Sequence, residues 1–165
     1  MKTLCIVPCG SKKTWDRNPT AGPCNAKDVY IGPFANKCKE YAVTFHPTSW
    51  CILSAKYGFL LPDDTVLGPY DVSFYDKKTK PITVSELKDQ AIEKGLYNFD
   101  KIVVLGGKEY TKIAKATFPD NAVFTPLSDC KGIGYMMGKL NTAIKGNEPF
   151  VDGLYGTFRK IRQPI

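Results

Sequence analysis

The sequence predicts an α/β protein: a single-domain, three-layer α/β/α sandwich around a mainly parallel central sheet of about four strands. Three observations carry that expectation. Short apolar, β-prone runs recur at residues 3–9 (TLCIVPC), 50–53 (WCIL), 101–105 (KIVVL) and 122–124 (AVF). Stretches of helical periodicity alternate with them, so the order reads βαβαβαβα. Turns rich in glycine, proline and serine bound the runs. With 165 residues the chain can bury one substantial core. Residues 1–165 are read as one domain, with 146–165 as a basic C-terminal tail.

The first run reads as a buried strand despite Pro8 near its end. Gly10-Ser11-Lys12-Lys13 follows, with a hydroxyl and two ammonium groups where a strand gives way to a loop. That composition suits an anion, and it is equally the composition of a solvated turn; the spacing is not that of a Walker loop. Residues 14–28, rich in Pro, Asn, Gly and Asp, predict a long loop. Phe34 to Thr44 reads as a helix with Phe34, Cys38, Tyr41 and Ala42 on one face, ended by His46 and Pro47. His46 is read as a loop residue.

The second run exits into Ser54-Ala55-Lys56-Tyr57-Gly58, then Pro62, Asp63 and Asp64, then a second turn at Gly68-Pro69-Tyr70-Asp71. Beyond it, Phe74 and Tyr75 stand among Lys77, Lys78 and Lys80. Such a segment is either a nucleic-acid contact or a solvated loop. A helix is expected from Thr83 or Ser85 to about Lys94, closed by Gly95. The third run leads into Gly106-Gly107-Lys108-Glu109-Tyr110, opening a helix to about Thr117. Paired glycines there either let a ligand approach the backbone or serve a tight turn. The fourth run exits at Thr125–Ser128, and residues 132–145 read as a last helix with Ile133, Met136, Met137 and Leu140 inward. The tail after it either docks as a strand or stays free.

The net charge of +7, from 23 basic and 16 acidic residues, favours polyanionic partners: DNA or a phosphorylated nucleotide. A protein partner stays open. No apolar run approaches the roughly 20 residues of a membrane helix, and the start, MKTLCIVPCGSKK, reads as a first strand rather than a signal peptide. A cytoplasmic protein is expected. The six cysteines include no CxxC pair and the chain has one histidine, so reduced thiols are expected, with no metal site and no cofactor.

In parallel sheets ligands bind outside the carboxyl ends of the strands. Gly10–Lys13, Ser54–Gly58, Gly106–Tyr110 and Thr125–Ser128 should therefore line one crevice. The expected binding residues are Cys9, Ser11, Lys12, Lys13, Ser54, Tyr57, Tyr70, Gly106, Gly107 and Tyr110, with Asp71 and Lys56 as candidate catalytic groups.

CGSKK after the first strand, LSAKYGFLLPDD followed by PYD, and LGGKEY after the third resemble a small uncharacterised family of bacteria and their phages. That family is distantly similar in turn to the peroxide-stress protein YaaA. The resemblance covers most of the chain and implies DNA binding and a link to oxidative DNA damage. The expected plan is also similar to that of uracil-DNA glycosylases. On that analogy the best reading of function is a DNA glycosylase-like hydrolase of N-glycosidic bonds. Asp71 would steer water or steady an oxocarbenium ion, with Asp63, Asp64 and Glu109 as substitutes. Ser54 and Lys56 would donate to the base, Tyr57 or Tyr70 would stack, and Ser11, Lys12 and Lys13 would hold phosphate. A Schiff base through Lys56 is a further route. A non-catalytic nucleotide- or DNA-binding module and a phage-encoded inhibitor are the alternatives.

Overall fold

The computed structural model describes residues 1–152; the expectation for the tail beyond them lies outside the described residues. Among the described residues seven strands form, β1 Thr3–Pro8, β2 Cys24–Asn25, β3 Trp50–Ser54, β4 Gly58–Leu60, β5 Thr65–Val66, β6 Lys101–Val104 and β7 Ala122–Phe124. The helices are α1 Thr14–Arg17, α2 Ala26–Val29, α3 Pro33–Phe45, α4 Val84–Glu93, α5 Lys108–Thr117 and α6 Ile133–Gly146. The central sheet has the order β4-β3-β1-β6-β7, and β1, β3, β6 and β7 run parallel.

Alternation along the strands divides the core between two faces. Cys5, Val7 and Val103 join the side chains of α3 and α6 on one face. Leu4, Ile6, Ile102 and Val104 join those of α4 and α5 on the other. Both faces are covered, which is why these strands read as unbroken apolar runs rather than alternating ones. On α6 the buried stripe is Met136, Leu140 and Ala143; Ile133, expected inward, is exposed, so the stripe starts one turn late.

Two departures from expectation matter for the site. The sheet has a fifth strand, β4, antiparallel to β3 with Ser54 opposite Gly58. Its hairpin requires Gly58 at φ +77°, where an added Cβ would lie 2.2 Å from Gln90 Oε1. Gln90 fills that space because its amide closes the turn, accepting from Phe59 N–H and donating to the Tyr57 carbonyl, each at 2.9 Å. Residues 14–28 are also not one long loop. They carry α1, β2 and most of α2, pinned by the Trp15 indole N–H on the Ala21 carbonyl at 3.0 Å. Strand β2 pairs with β5, placing Cys24 opposite Val66. An isolated bridge then sets Lys13 opposite Tyr30.

Chain direction across the sheet reverses at β1. The connection through α3 leads to β3 on one side, and the later one through α4 leads to β6 on the other. The carboxyl ends of β1 and β6 therefore part around a topological switch point.

Candidate functional site

At that switch point Cys9, one residue past β1, meets Tyr110 from the first turn of α5. The Cys9 thiol lies 3.1 Å from Tyr110 Oη, and the Tyr110 hydroxyl also donates to the Cys9 carbonyl at 3.3 Å. Close approach of α5 depends on Gly106, at φ +145°, where a Cβ would sit 3.0 Å from that of Tyr110. Burial pushes the Cys9 thiol up from its ordinary pKa, against the opposing pull of Tyr110, the Ala55 backbone and Lys13. Burial also raises the Tyr110 phenol, and the neighbouring Cys9 raises it further. Cys9 is therefore a protonated thiol at neutral pH, a donor rather than a nucleophilic thiolate.

The second half of the cluster comes from the exit of β3. Ser54 Oγ accepts the backbone N–H groups of Lys56 and Tyr57 at 3.2 and 3.1 Å and lies 2.9 Å from Tyr70 Oη. With both lone pairs of Ser54 engaged, its own proton goes to Tyr70. Tyr70 Oη is in turn hydrogen-bonded to Tyr30 Oη. Three hydroxyl protons serve two oxygen–oxygen links, which leaves one phenolic O–H without an acceptor inside the cluster.

Lys13 lies over this group. It is only 6 % exposed, its ammonium donates to the Ser11 carbonyl at 3.2 Å and sits 4.4 Å from the centre of the Tyr70 ring. Among the described residues no carboxylate pairs with it. A buried ammonium with one carbonyl and one ring face is under-compensated. The nearest acid by sequence, Asp16, spends a carboxylate oxygen on the Lys13 backbone N–H at 2.8 Å.

The structure thus brings together Cys9, Lys13, Ser54, Tyr57, Tyr70 and Tyr110. Tyr57 meets Tyr70 edge-on at 5.3 Å between ring centres. Lys56 is exposed, its ammonium 5.2 and 5.6 Å from the centres of those two rings; an imine route asks for a desolvated amine. Ser11 contributes its carbonyl, and its side chain is exposed. Lys12 is exposed and spends its carbonyl on the Ile31 N–H. Asp71 is exposed and has no hydrogen bond or ion pair among the described residues. Its substitutes divide. Asp63 pairs with Lys27 at 3.0 Å and Asp64 caps the Leu61 N–H at 2.7 Å, both structural uses. Glu109 is half-buried in the first turn of α5.

Thr125–Ser128 does not join the cluster as expected. Thr125 and Pro126 line a separate cavity of about 680 Å³ with Asp129, Lys139 and Phe150. Strand β7 lies outside β6 at the sheet edge, one strand farther from the switch point. Tyr30 is the member that sequence reasoning missed. Its only signal is a tyrosine closing an extended segment, and the bridge to Lys13 that aims it inward is not local.

The buried phenols give the site a pH dependence. Burial raises Tyr30 to about 12, although its bond to Tyr70 pulls the other way. Tyr70 is raised too, by burial first and then by Tyr30 and Cys9. A phenol whose pKa is higher folded than unfolded contributes stability that is complete below the unfolded value of about 10. That stability is lost as pH climbs through the folded value. Stability should therefore fall between about pH 10 and 12. Near-ultraviolet phenolate absorbance should show these tyrosines ionising together with unfolding, out of step with the exposed ones.

Comparison with known proteins places this geometry in a family context. The model of a family described as "Family of unknown function (DUF6884)" matches residues 4–142. That span contains every residue of the cluster. An uncharacterized protein, YfjM, of Bacillus subtilis (strain 168) is 48 % identical over 146 residues, covering 88 % of this chain and 97 % of the relative. No solved structure matches the chain. Among the described residues no helix is long and apolar enough to cross a membrane.

Proposed function

Since the chain belongs to the DUF6884 family of unknown function, we propose from the chemistry of its switch-point crevice that it binds a nucleotide or nucleic acid through a phosphate. The reaction it is best equipped for is hydrolysis of an N-glycosidic bond. The observation that carries the first part is the buried Lys13 ammonium, which has no carboxylate partner among the described residues. A cation held that way is stabilised by an incoming anion. The surplus phenolic proton of the Tyr30–Tyr70 pair supplies a second donor. The net charge of +7 supplies attraction at longer range. Phosphate offers enough acceptors for both donors, whereas a neutral apolar ligand would leave them unpaired.

The hydrolytic part rests on Asp71. Asp71 follows Tyr70 directly and is free of structural duties among the described residues, which suits a carboxylate that orients water. In that reaction the water oxygen bonds to the anomeric carbon as the carbon–nitrogen bond breaks. The water gives up a proton to the Asp71 carboxylate, and the departing base keeps the electron pair and takes a proton from solvent. The distant similarity to YaaA-like proteins of the small family that CGSKK, LSAKYG and PYD resemble favours DNA as the polyanion. A binding module without turnover is the second reading, favoured by the exposure of Asp71.

One experiment separates the two. The purified protein is incubated with single-stranded DNA carrying natural and modified bases and with nucleosides, and released base is quantified by chromatography. Release that Asp71→Asn abolishes, with binding intact, supports the hydrolase. Saturable binding with no release across the panel leaves the binding module. Absence of binding to any phosphate-bearing ligand overturns both.

A further inference from the structure

Resting on the reading of the crevice as a phosphate site, we propose that Tyr75 is a stacking platform for an unpaired nucleobase, which makes the ligand a single-stranded nucleic acid. Tyr75 is 69 % exposed, on a turn whose backbone is held in place. Its backbone N–H donates to Ser73 Oγ at 3.1 Å, and a bridge between Ser73 and Asp76 closes the turn around it. The ring meets that of Tyr110 at 6.4 Å, and Tyr110 is the residue bonded to Cys9. The platform thus adjoins the cluster that holds Lys13. An exposed aromatic face in water is unfavourable, and a base lying on it removes that cost.

The other rings that meet Tyr110 or the Lys13 ammonium are spoken for. Phe74 is buried against Tyr110, and Tyr57 and Tyr70 pack on each other, so the stacking role expected for that pair passes to Tyr75. Beside the platform the floor is bare backbone. A Cβ on Gly107 would lie 3.6 Å from Met136 Cε and 3.9 Å from Tyr75 Oη. Most of the surrounding charge is of the matching sign: Lys77, Lys78, Lys80 and Lys108 are all exposed, against one carboxylate, Glu109, that faces the Tyr75 phenol. The acid of this turn, Asp76, turns its carboxylate to the Lys78 backbone N–H at 3.0 Å. In a duplex the base faces are covered by their neighbours, so a ring platform within a lysine field selects strands whose bases are unstacked.

The test compares a short oligothymidylate with an abasic strand of equal length, each followed by fluorescence anisotropy. The wild type should bind the thymidylate strand about tenfold more tightly, and a duplex of that length more weakly than the single strand. Tyr75→Ala should erase the preference without changing affinity for the abasic strand, while Tyr75→Trp should retain it. Lys13→Met should weaken both strands together. Equal binding of the two strands by the wild type, or a preference that survives Tyr75→Ala, overturns the platform and leaves the Lys13 site standing. Equal binding of duplex and single strand, or of thymidine monophosphate and the oligomer, overturns the assignment to single strands. Indifference of all ligands to Lys13→Met instead overturns the phosphate reading beneath it.

Discussion

Lys13→Met should weaken binding of pyrophosphate or an oligonucleotide about 100-fold while making the unliganded protein more stable. Removing one partner of a desolvated charge pair costs roughly 2–5 kcal/mol of binding, and each factor of ten corresponds to about 1.4 kcal/mol. Without a ligand the sign reverses. Lys13 is 6 % exposed, and its ammonium has one carbonyl and one aromatic face for company. A methionine fills nearly the same volume, keeps the contact with the Tyr70 ring and has no charge to desolvate. Urea denaturation should report a gain of about 1–2 kcal/mol. Calorimetric titration with pyrophosphate checks the other half. A variant that lost stability along with binding would mean that Lys13 serves the fold and not a ligand.

Gly106→Ala should be among the most damaging single substitutions in the chain, costing on the order of 3 kcal/mol. At φ +145° an L-residue is strained, and the added Cβ would press at 3.0 Å on the Cβ of Tyr110, which lies next to rigid backbone. Relief requires α5 to move away from the sheet, and the bond from Tyr110 to Cys9 moves with it. The neighbouring Gly107→Ala is the control. Its φ of −84° is ordinary, and its Cβ would make only van der Waals contacts, the nearest at 3.6 Å. It should stay within about 0.5 kcal/mol of the wild type. Thermal denaturation of the two variants side by side gives the comparison, and ligand titration of whatever folded Gly106→Ala remains shows whether the crevice opens.

The paired glycines illustrate what could be read before the structure. A glycine pair between an apolar run and a helix announces a strand exit, and the parallel-sheet rule then brings it to Cys9 and Ser54. It does not say which glycine carries the positive φ. Central strands were legible because burial on both faces leaves uninterrupted apolar runs. Strand β4 was not, since it is three residues long, begins at a glycine and takes its register from Gln90, far along the chain. Tyr30 and Tyr70 join through the pairing of β2 with β5 and the bridge at Lys13, contacts between segments with no shared periodicity. The Thr125–Ser128 loop met the opposite fate. It leaves the sheet at the expected edge, but from an outer strand, and edge position alone does not bring a loop to the switch point.

The hydroxyl and thiol cluster draws Cys9, Tyr30, Ser54, Tyr70 and Tyr110 from segments spread over 101 residues of chain. No fragment of the polypeptide carries the constellation, and it comes into being only when the long-range strand pairings are complete. An anion that recognises it meets on the denatured chain only diffuse positive charge, and the affinity owed to the assembled site shifts the equilibrium toward the native form. At a hundredfold excess over the dissociation constant that shift amounts to about 2.7 kcal/mol. The melting temperature of this protein can thus serve as a detector, with a panel of phosphates, nucleotides and strands ranked by how far each one moves it.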